Sequence, residues 1–88
     1  MQKSQLNFIN HCFIRKNSEE LRNKLKQYGI KQNDLDDNRG EWIAYNYGLY
    51  ISVDKGYERL FPDEIDCGTD EEMFINIILK KNNYEKIY

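Results

Sequence analysis

Residues 41–61 read Glu-Trp-Ile-Ala-Tyr-Asn-Tyr-Gly-Leu-Tyr-Ile-Ser-Val-Asp-Lys-Gly-Tyr-Glu-Arg-Leu-Phe. This stretch holds the only Trp of the chain, four of its seven Tyr and two turn signals. Because aromatic and β-branched side chains pack well on a pleated, half-buried surface, it predicts an antiparallel meander of three strands. The reversals are expected at residues 46–48 and 54–56, and Pro62 would end the third strand.

The faces of this meander follow from the alternation of side chains along its second strand. Successive side chains of a strand point to opposite faces, so Leu49, Ile51 and Val53 are expected to face the helices. Tyr50 would then lie on the opposite face. The sequence therefore predicts a sheet with one apolar side under helices and one aromatic side without them.

A short helix is predicted after a strand at residues 7–16. Asn17 would cap its first turn with Glu20 reaching back, and Gly29 would end it in the left-handed conformation. Its apolar stripe consists of three residues at i, i+4 and i+7, namely Leu21, Leu25 and Tyr28.

A second helix is predicted near the C-terminus. Thr69 and Glu72 form a capping box at its start, and Asn82-Asn83 would break it after two lysines. The apolar sector of this helix is wide, so it should be the most buried helix. The sector contains Met73, Phe74, Ile75, Ile77, Ile78 and Leu79.

These elements occur in the order β-α-β-β-β-α along a single domain of residues 1–88. They predict an α+β fold with two layers, an antiparallel-dominated sheet of about four strands and two helices on one face. Residues 1–7 are expected to be loose, and residues 82–88 are expected to dock on the body or on a second copy. An 88-residue chain has a small core, so a partner subunit would help to cover apolar surface.

Composition narrows the function classes. No apolar run approaches the roughly 20 residues of a membrane span, and no signal peptide is recognisable, so a cytoplasmic location is expected. Cys12 and Cys67 are expected to be free thiols. The net charge of −2 combines a basic part at residues 1–31 with an acidic part at residues 32–72. Such parts either neutralise each other or steer a charged partner.

No catalytic or metal-binding pattern emerges from the polar residues. His11, Cys12, Asp66 and Cys67 do not have the spacing of a zinc site, and His11 and Cys12 would point to opposite faces of a strand. A nucleophile and its base must lie within hydrogen-bond reach, which this geometry prevents. The glycines are isolated turn residues rather than a phosphate-binding loop. Neither catalysis, a cofactor nor a metal is therefore expected.

The aromatic residues of the meander are the main candidates for binding. Tyr and Trp combine an apolar body with a polar edge, which suits protein interfaces and base stacking as well as plain cross-strand packing. The candidate set is Trp42, Tyr45, Tyr47, Tyr50 and Tyr57, with Arg39 and Arg59 as possible phosphate contacts. A candidate acidic partner surface consists of Asp63, Glu64 and Asp66.

Three segments carry a resemblance to known proteins. They are Cys-Phe-Ile-Arg-Lys-Asn at residues 12–17, Glu-Leu-Arg at residues 20–22 with its continuation to residue 29, and Ile-Asp-Cys-Gly-Thr at residues 65–69 with its continuation to residue 74. These segments resemble a group of small proteins from Bacteroidetes genomes and their phages. That group has no assigned activity. The resemblance implies a compact α+β domain, a homodimer as one option, and no particular chemistry.

The sequence therefore predicts a non-enzymatic binding or accessory protein of phage or mobile-element type. It would form a homodimer and act through protein contacts of the aromatic sheet face and its acidic flank. The first alternative is a protein that binds a small molecule or nucleotide, with Trp42 or a Tyr stacking on a base. The second is an inhibitor of a basic host protein that uses the acidic residues. Membrane and nucleic-acid partners are not expected.

Overall fold

The structure is a computed structural model that describes the backbone of residues 11–87 and the side chains of residues 11–79. In chain order its elements are β1 (Cys12–Ile14), α1 (Glu19–Gln27), β2 (Lys31–Gln32), β3 (Trp42–Asn46), β4 (Leu49–Val53), β5 (Ile65–Asp66) and α2 (Glu71–Ile87). The predicted α+β class, with two helices on one face of a sheet, is confirmed. The expected loose segment at residues 1–7 lies outside the described residues.

Within the described residues the sheet has five strands in the order β2-β4-β3-β1-β5. The central pairs, β1 with β3 and β3 with β4, are antiparallel. The outer pairs, β1 with β5 and β2 with β4, are parallel and only two residues long. The sheet is therefore mixed, with an antiparallel centre that agrees with the predicted character.

The predicted third strand of the meander, at residues 57–61, is wrong. The chain turns after β4, where the backbone N–H of Tyr57 donates to the carbonyl of Asp54 at 3.0 Å. The Glu64 carboxylate then accepts hydrogen bonds from the Tyr57 hydroxyl and the Leu60 N–H, which holds residues 57–64 as a loop. The outer edge of β4 is taken instead by β2. The predicted element order contained neither β2 nor β5.

The predicted orientation of β4 is also wrong. Its register with β3 places Tyr50 opposite Tyr45, and both side chains face the helices. Leu49, Ile51 and Val53 lie on the other side. Both sets of β4 side chains are apolar, so the alternation by itself does not define the buried face, and the short reversal at residues 47–48 sets the register. The helix-side core consists of Cys12, Ile14, Leu21, Leu25, Ile30, Ile43, Tyr45, Tyr50, Cys67, Phe74 and Ile78.

Helix α1 is capped one residue later than predicted. The Ser18 Oγ accepts from the Leu21 N–H at 3.1 Å, while Asn17 makes its hydrogen bonds elsewhere. The predicted glycine end is confirmed, because Gly29 has a φ of 84° and the Ile30 N–H donates to the Leu25 carbonyl at 2.9 Å. Tyr28 is half exposed, so it does not belong to the apolar stripe. Ile30 folds back onto the helix and takes the place in the apolar stripe that was predicted for Tyr28.

Helix α2 differs from the prediction at both ends. Asp70 caps it, accepting from the Met73 N–H at 3.0 Å, instead of Thr69. The helix continues past residues 82–83 to Ile87, since Asn lowers helix propensity by less than roughly 1 kcal/mol and does not force a break. Met73 is 40% exposed, so the buried sector is narrower than expected. The docking predicted for residues 82–88 concerns side chains outside the described set.

Candidate functional site

The side of the sheet opposite the helices is here named the helix-free face. Its strands carry six apolar side chains there, which are Phe13, Trp42, Ala44, Leu49, Ile51 and Val53. Phe13 and Ala44 are each only 3% exposed, whereas Trp42, Ile51 and Val53 are half-buried. The Tyr57 ring packs edge-on against Phe13 at 5.3 Å and covers that end of the face. The other end keeps an apolar strip accessible to solvent.

Trp42 is held in place from two directions. The Phe13 ring is stacked against it at 6.1 Å, and the Arg15 guanidinium lies 4.9 Å above its ring centre. Arg15 in turn contacts Asp66 through two nitrogens, at 2.6 and 3.3 Å. A base that stacked on this side of Trp42 would have to displace Arg15.

The Arg15–Asp66 pair anchors the edge strand β5. The Arg15 hydrogen bond and the Gly68 N–H, which donates to Asp66 at 2.9 Å, hold the pKa of the Asp66 carboxyl below its ordinary value. This contribution to stability is present above the ordinary pKa of Asp and is lost as the pH falls through the lowered value. Because both partners are partly exposed, the pair contributes little to stability at neutral pH.

Glu64 is a buried carboxylate that organises the loop over the helix-free face. It is 4% exposed and accepts from the Tyr57 hydroxyl at 3.0 and 3.1 Å and from the Leu60 N–H at 2.9 Å. Burial, and then the adjoining Glu64 carboxylate, raises the pKa of Tyr57 to about 12. The neutral phenol is therefore the form that the folded loop requires.

Replacing Tyr57 with Phe is expected to lower the free energy of unfolding by about 1–2 kcal/mol, because it removes a donor from a buried carboxylate. The raised pKa of Tyr57 also predicts that the stability of the fold depends on pH under alkaline conditions. The stabilisation by Tyr57 is complete below the ordinary pKa of 10 and is lost as the pH rises toward about 12. Urea unfolding measured across this pH range should show a smaller decline in the free energy of unfolding for Tyr57→Phe than for the wild type. Tyr28→Phe, on an exposed helix position, is the control and should behave as wild type.

His11 forms a second aromatic cluster, at the β5 end of the sheet. Its ring is 5% exposed, stacks on Phe61 at 3.9 Å and meets the edge of Tyr47 at 4.9 Å. Its Nδ1 lies 3.5 Å from the exposed Asp63 carboxylate, too far for a good hydrogen bond. Among the described residues neither ring nitrogen has a hydrogen-bond partner.

The predicted aromatic candidates are divided among different parts of the molecule. Tyr45 and Tyr50 are buried in the helix-side core, Trp42 and Tyr57 lie on the other side of the sheet, and Tyr47 is 63% exposed at the reversal. They therefore do not form one continuous aromatic surface.

The predicted charged candidates are likewise separated. Arg39 is exposed and pairs with Asp37 at 2.9 Å. Arg59 is exposed, and its charge helps to lower the pKa of Asp66. In the acidic set only Asp63 has an exposed carboxylate without a strong partner. Glu64 is buried, and Asp66 is bound to Arg15.

Cys12 and Cys67 are neighbours in the helix-side core, and both are free thiols. The Cys67 N–H donates to the Phe13 carbonyl at 2.9 Å, so the two residues lie on adjacent strand paths. Hydrogen bonding to Cys67 and burial raise the pKa of the Cys12 thiol. The burial of both thiols agrees with the predicted role as small apolar groups.

Sequence reasoning missed a cleft on the helix side of the sheet, between α1 and β2. Its volume is about 580 Å³, within the range of small-molecule sites. Its lining comes from separate segments and consists of Glu19, Arg22, Asn23, Lys26, Gly29, Ile30, Lys31, Gln32, Asn38 and Tyr50. The four lining residues of α1 recur at i, i+3, i+4 and i+7. These positions lie outside the predicted apolar stripe of the helix, so no sequence pattern marked them as a site.

A hydrogen-bonded network lies beside this cleft. The Asp36 carboxylate accepts from the Ser52 N–H and from Gln32 Nε2, each at 3.0 Å. Asn17 Nδ2 donates to the Gly40 carbonyl at 2.6 Å and to Ser52 Oγ at 3.2 Å. These bonds join the loop between β2 and β3 to β4 and to the start of α1, so the wall of the cleft is fixed.

The network also orients one cleft cation, Arg22, whose guanidinium donates to the side-chain oxygen of Asn17. Asn38 takes the left-handed conformation with a φ of 67° and contacts Gln32 and Ser52. Arg22, Gln32 and Asn38 are therefore held in defined positions before any ligand binds.

No group of His, Cys, Asp or Glu side chains within residues 11–79 is arranged to hold a metal ion. Over the part of the chain whose backbone is described, neither helix is long and apolar enough to cross a membrane.

Comparison with known proteins finds no matching family model, no similar curated protein and no matching solved structure.

Proposed function

We propose that this is a non-enzymatic binding protein that makes protein–protein contacts through the helix-free face, first of all with a second copy of itself. The observation that supports this most is the half-buried, solvent-accessible apolar strip of Trp42, Ile51 and Val53. Such a strip is costly to leave in water, and Trp is among the residues enriched at protein interfaces. A small chain buries a smaller fraction of its surface than a large one, so covering this strip would add appreciably to its stability.

The edges of the sheet offer less to a partner than its face. Both edge strands, β2 and β5, are only two residues long and each carries one charged side chain, which disfavours strand addition. The face ends at Arg15 and Asp66 on one side and at Asp54 and Lys55 on the other. A rim that carries both signs of charge suits a twofold contact between identical surfaces.

We also propose that the protein has no catalytic activity, and the positions of His11 and Cys12 support this. His11 stacks with Phe61 at the β5 end, whereas the Cys12 side chain is buried under the helices. The two groups therefore cannot act as base and nucleophile on one substrate.

The acidic inhibitor function is supported less by the geometry. Of the three predicted carboxylates, Glu64 and Asp66 are already engaged within the chain, which leaves Asp63 for a basic partner. A cytoplasmic location and a phage or mobile-element origin rest on the sequence alone and stay predictions.

The proposal predicts that the sedimentation mass rises with concentration. Ile51→Glu is expected to keep the protein monomeric, because it would bury a charge at the centre of the contact. Leu35→Glu is the matched control, since Leu35 is 96% exposed in the loop after β2. It should associate as wild type does, and both variants should show the circular dichroism spectrum of the wild type.

A mass equal to one chain for the wild type at every concentration would contradict the proposal. So would equal weakening of association in Leu35→Glu and Ile51→Glu, because that result would show a general charge effect rather than a contact at the helix-free face.

A further inference from the structure

The strongest unassigned feature is the cleft between α1 and β2, which lies on the opposite side of the sheet from the proposed protein contact. Three cations and one carboxylate line it, namely Arg22, Lys26, Lys31 and Glu19. Within the described residues neither Lys26 nor Lys31 forms an ion pair. The cleft therefore presents an excess of positive charge in a protein whose net charge is negative.

Tyr50 supplies the second observation. It is 5% exposed, and its side chain extends from β4 toward α1 to form part of the cleft. Its hydroxyl makes no hydrogen bond to another described side chain. Burial is the main cause that raises the pKa of Tyr50, so the hydroxyl stays neutral and can donate. The hydroxyl oxygen itself is accessible from the cleft, so it can donate to a bound ligand or to water.

We propose that this cleft binds a small organic phosphate, of the size of a nucleoside monophosphate or diphosphate. The volume of about 580 Å³ admits a ligand of that size. Arg22, Lys26 and Lys31 would contact the phosphate oxygens, and the Tyr50 hydroxyl would donate to the ligand from the floor.

The amide groups of the cleft define the remaining part of the ligand. Gln32 and Asn38 are fixed by the network around Asp36 and Ser52, and they line the wall next to β2. Fixed amides offer both donors and acceptors, which match the hydroxyls of a sugar or the polar edge of a base. The fixed orientation of Arg22 reduces the ordering cost of binding. A phosphate ester with a polar organic group therefore fits the cleft better than a simple fatty acid.

Isothermal titration calorimetry with AMP, ADP, glucose 6-phosphate and pyrophosphate tests the inference on the full chain. At least one organic phosphate should bind saturably, and more weakly as salt is raised. The double variant Lys26→Gln, Lys31→Gln should weaken that binding by at least about 10-fold, since charge-assisted hydrogen bonds are lost. Tyr50→Phe, which keeps the ring, should weaken it by several fold.

Lys55→Gln is the matched control, because Lys55 is an exposed lysine in the turn after β4 and does not line the cleft. It should bind as wild type does. Ile51→Glu should also bind normally, which separates this inference from the proposed protein contact. The inference is overturned if no organic phosphate binds at millimolar concentration. It is equally overturned if Lys55→Gln weakens binding as much as the double variant.

Discussion

Replacing Gly40 with Ala is expected to lower the free energy of unfolding by about 3 kcal/mol. An added Cβ would lie 2.5 Å from both the backbone nitrogen and the backbone oxygen of Val53. These are main-chain atoms of β4, so the overlap cannot be relieved by rotating a side chain. The Gly40 carbonyl also accepts from Asn17, so a shift of this segment would disturb the start of α1.

Gly48→Ala provides the control for this prediction. Nothing lies within 4 Å of the added Cβ at Gly48, but its φ is +86°. The control therefore measures backbone strain alone, about 1 kcal/mol. Urea unfolding followed by circular dichroism compares the two variants. Equal stabilities would show that β4 and the Gly40 segment are not packed as described.

Replacing Phe74 with Ala should lower the free energy of unfolding by about 4 kcal/mol, more than the substitution of Gly40. Phe74 is fully buried and belongs to the core cluster that joins α2 to the sheet. Truncation would leave a cavity that neighbouring strands cannot close, because they are fixed by the ladder of hydrogen bonds.

The adjacent Met73 is 40% exposed on the same helix turn and supplies the control. Met73→Ala should cost less than about 1 kcal/mol, because little apolar surface is lost. Thermal unfolding of both variants tests the orientation of α2. A larger loss for Met73→Ala than for Phe74→Ala would mean that the helix presents another face to the sheet.

The fold class was predictable because its sequence patterns are strong within short stretches of the chain. The apolar positions of α1, together with Gly29 at its end, indicate the extent of that helix, and the first reversal of the meander, near residue 48, indicates the central hairpin. Both are local features, in which propensity and turn chemistry agree with the tertiary packing.

The sequence predictions were wrong where two alternative local structures have similar free energies. Ser18 caps α1 instead of Asn17, and Asp70 caps α2 instead of Thr69, because neighbouring positions carry side chains that cap about equally well. Tyr50 was assigned to the wrong face because β4 is apolar on both faces. Only the tertiary partners of such a strand decide its orientation.

The cleft could not be predicted because its residues are distant in sequence and individually ordinary. Arg22 and Lys26 look like the solvated face of a helix, and Tyr50 looks like one more aromatic residue of a sheet. Their proximity depends on the parallel pairing of β2 with β4, which brings Lys31 and Gln32 beside the helix. A two-residue strand leaves no periodic signal in a sequence.

A dilution series of amide and indole NMR spectra tests the contact proposed for the helix-free face most directly. From millimolar to micromolar protein, resonances of residues 49–53 and the Trp42 indole should shift, while those of Lys26 and Lys31 in the cleft stay unchanged. A spectrum that is independent of concentration, or shifts confined to the cleft side of the sheet, would contradict the account.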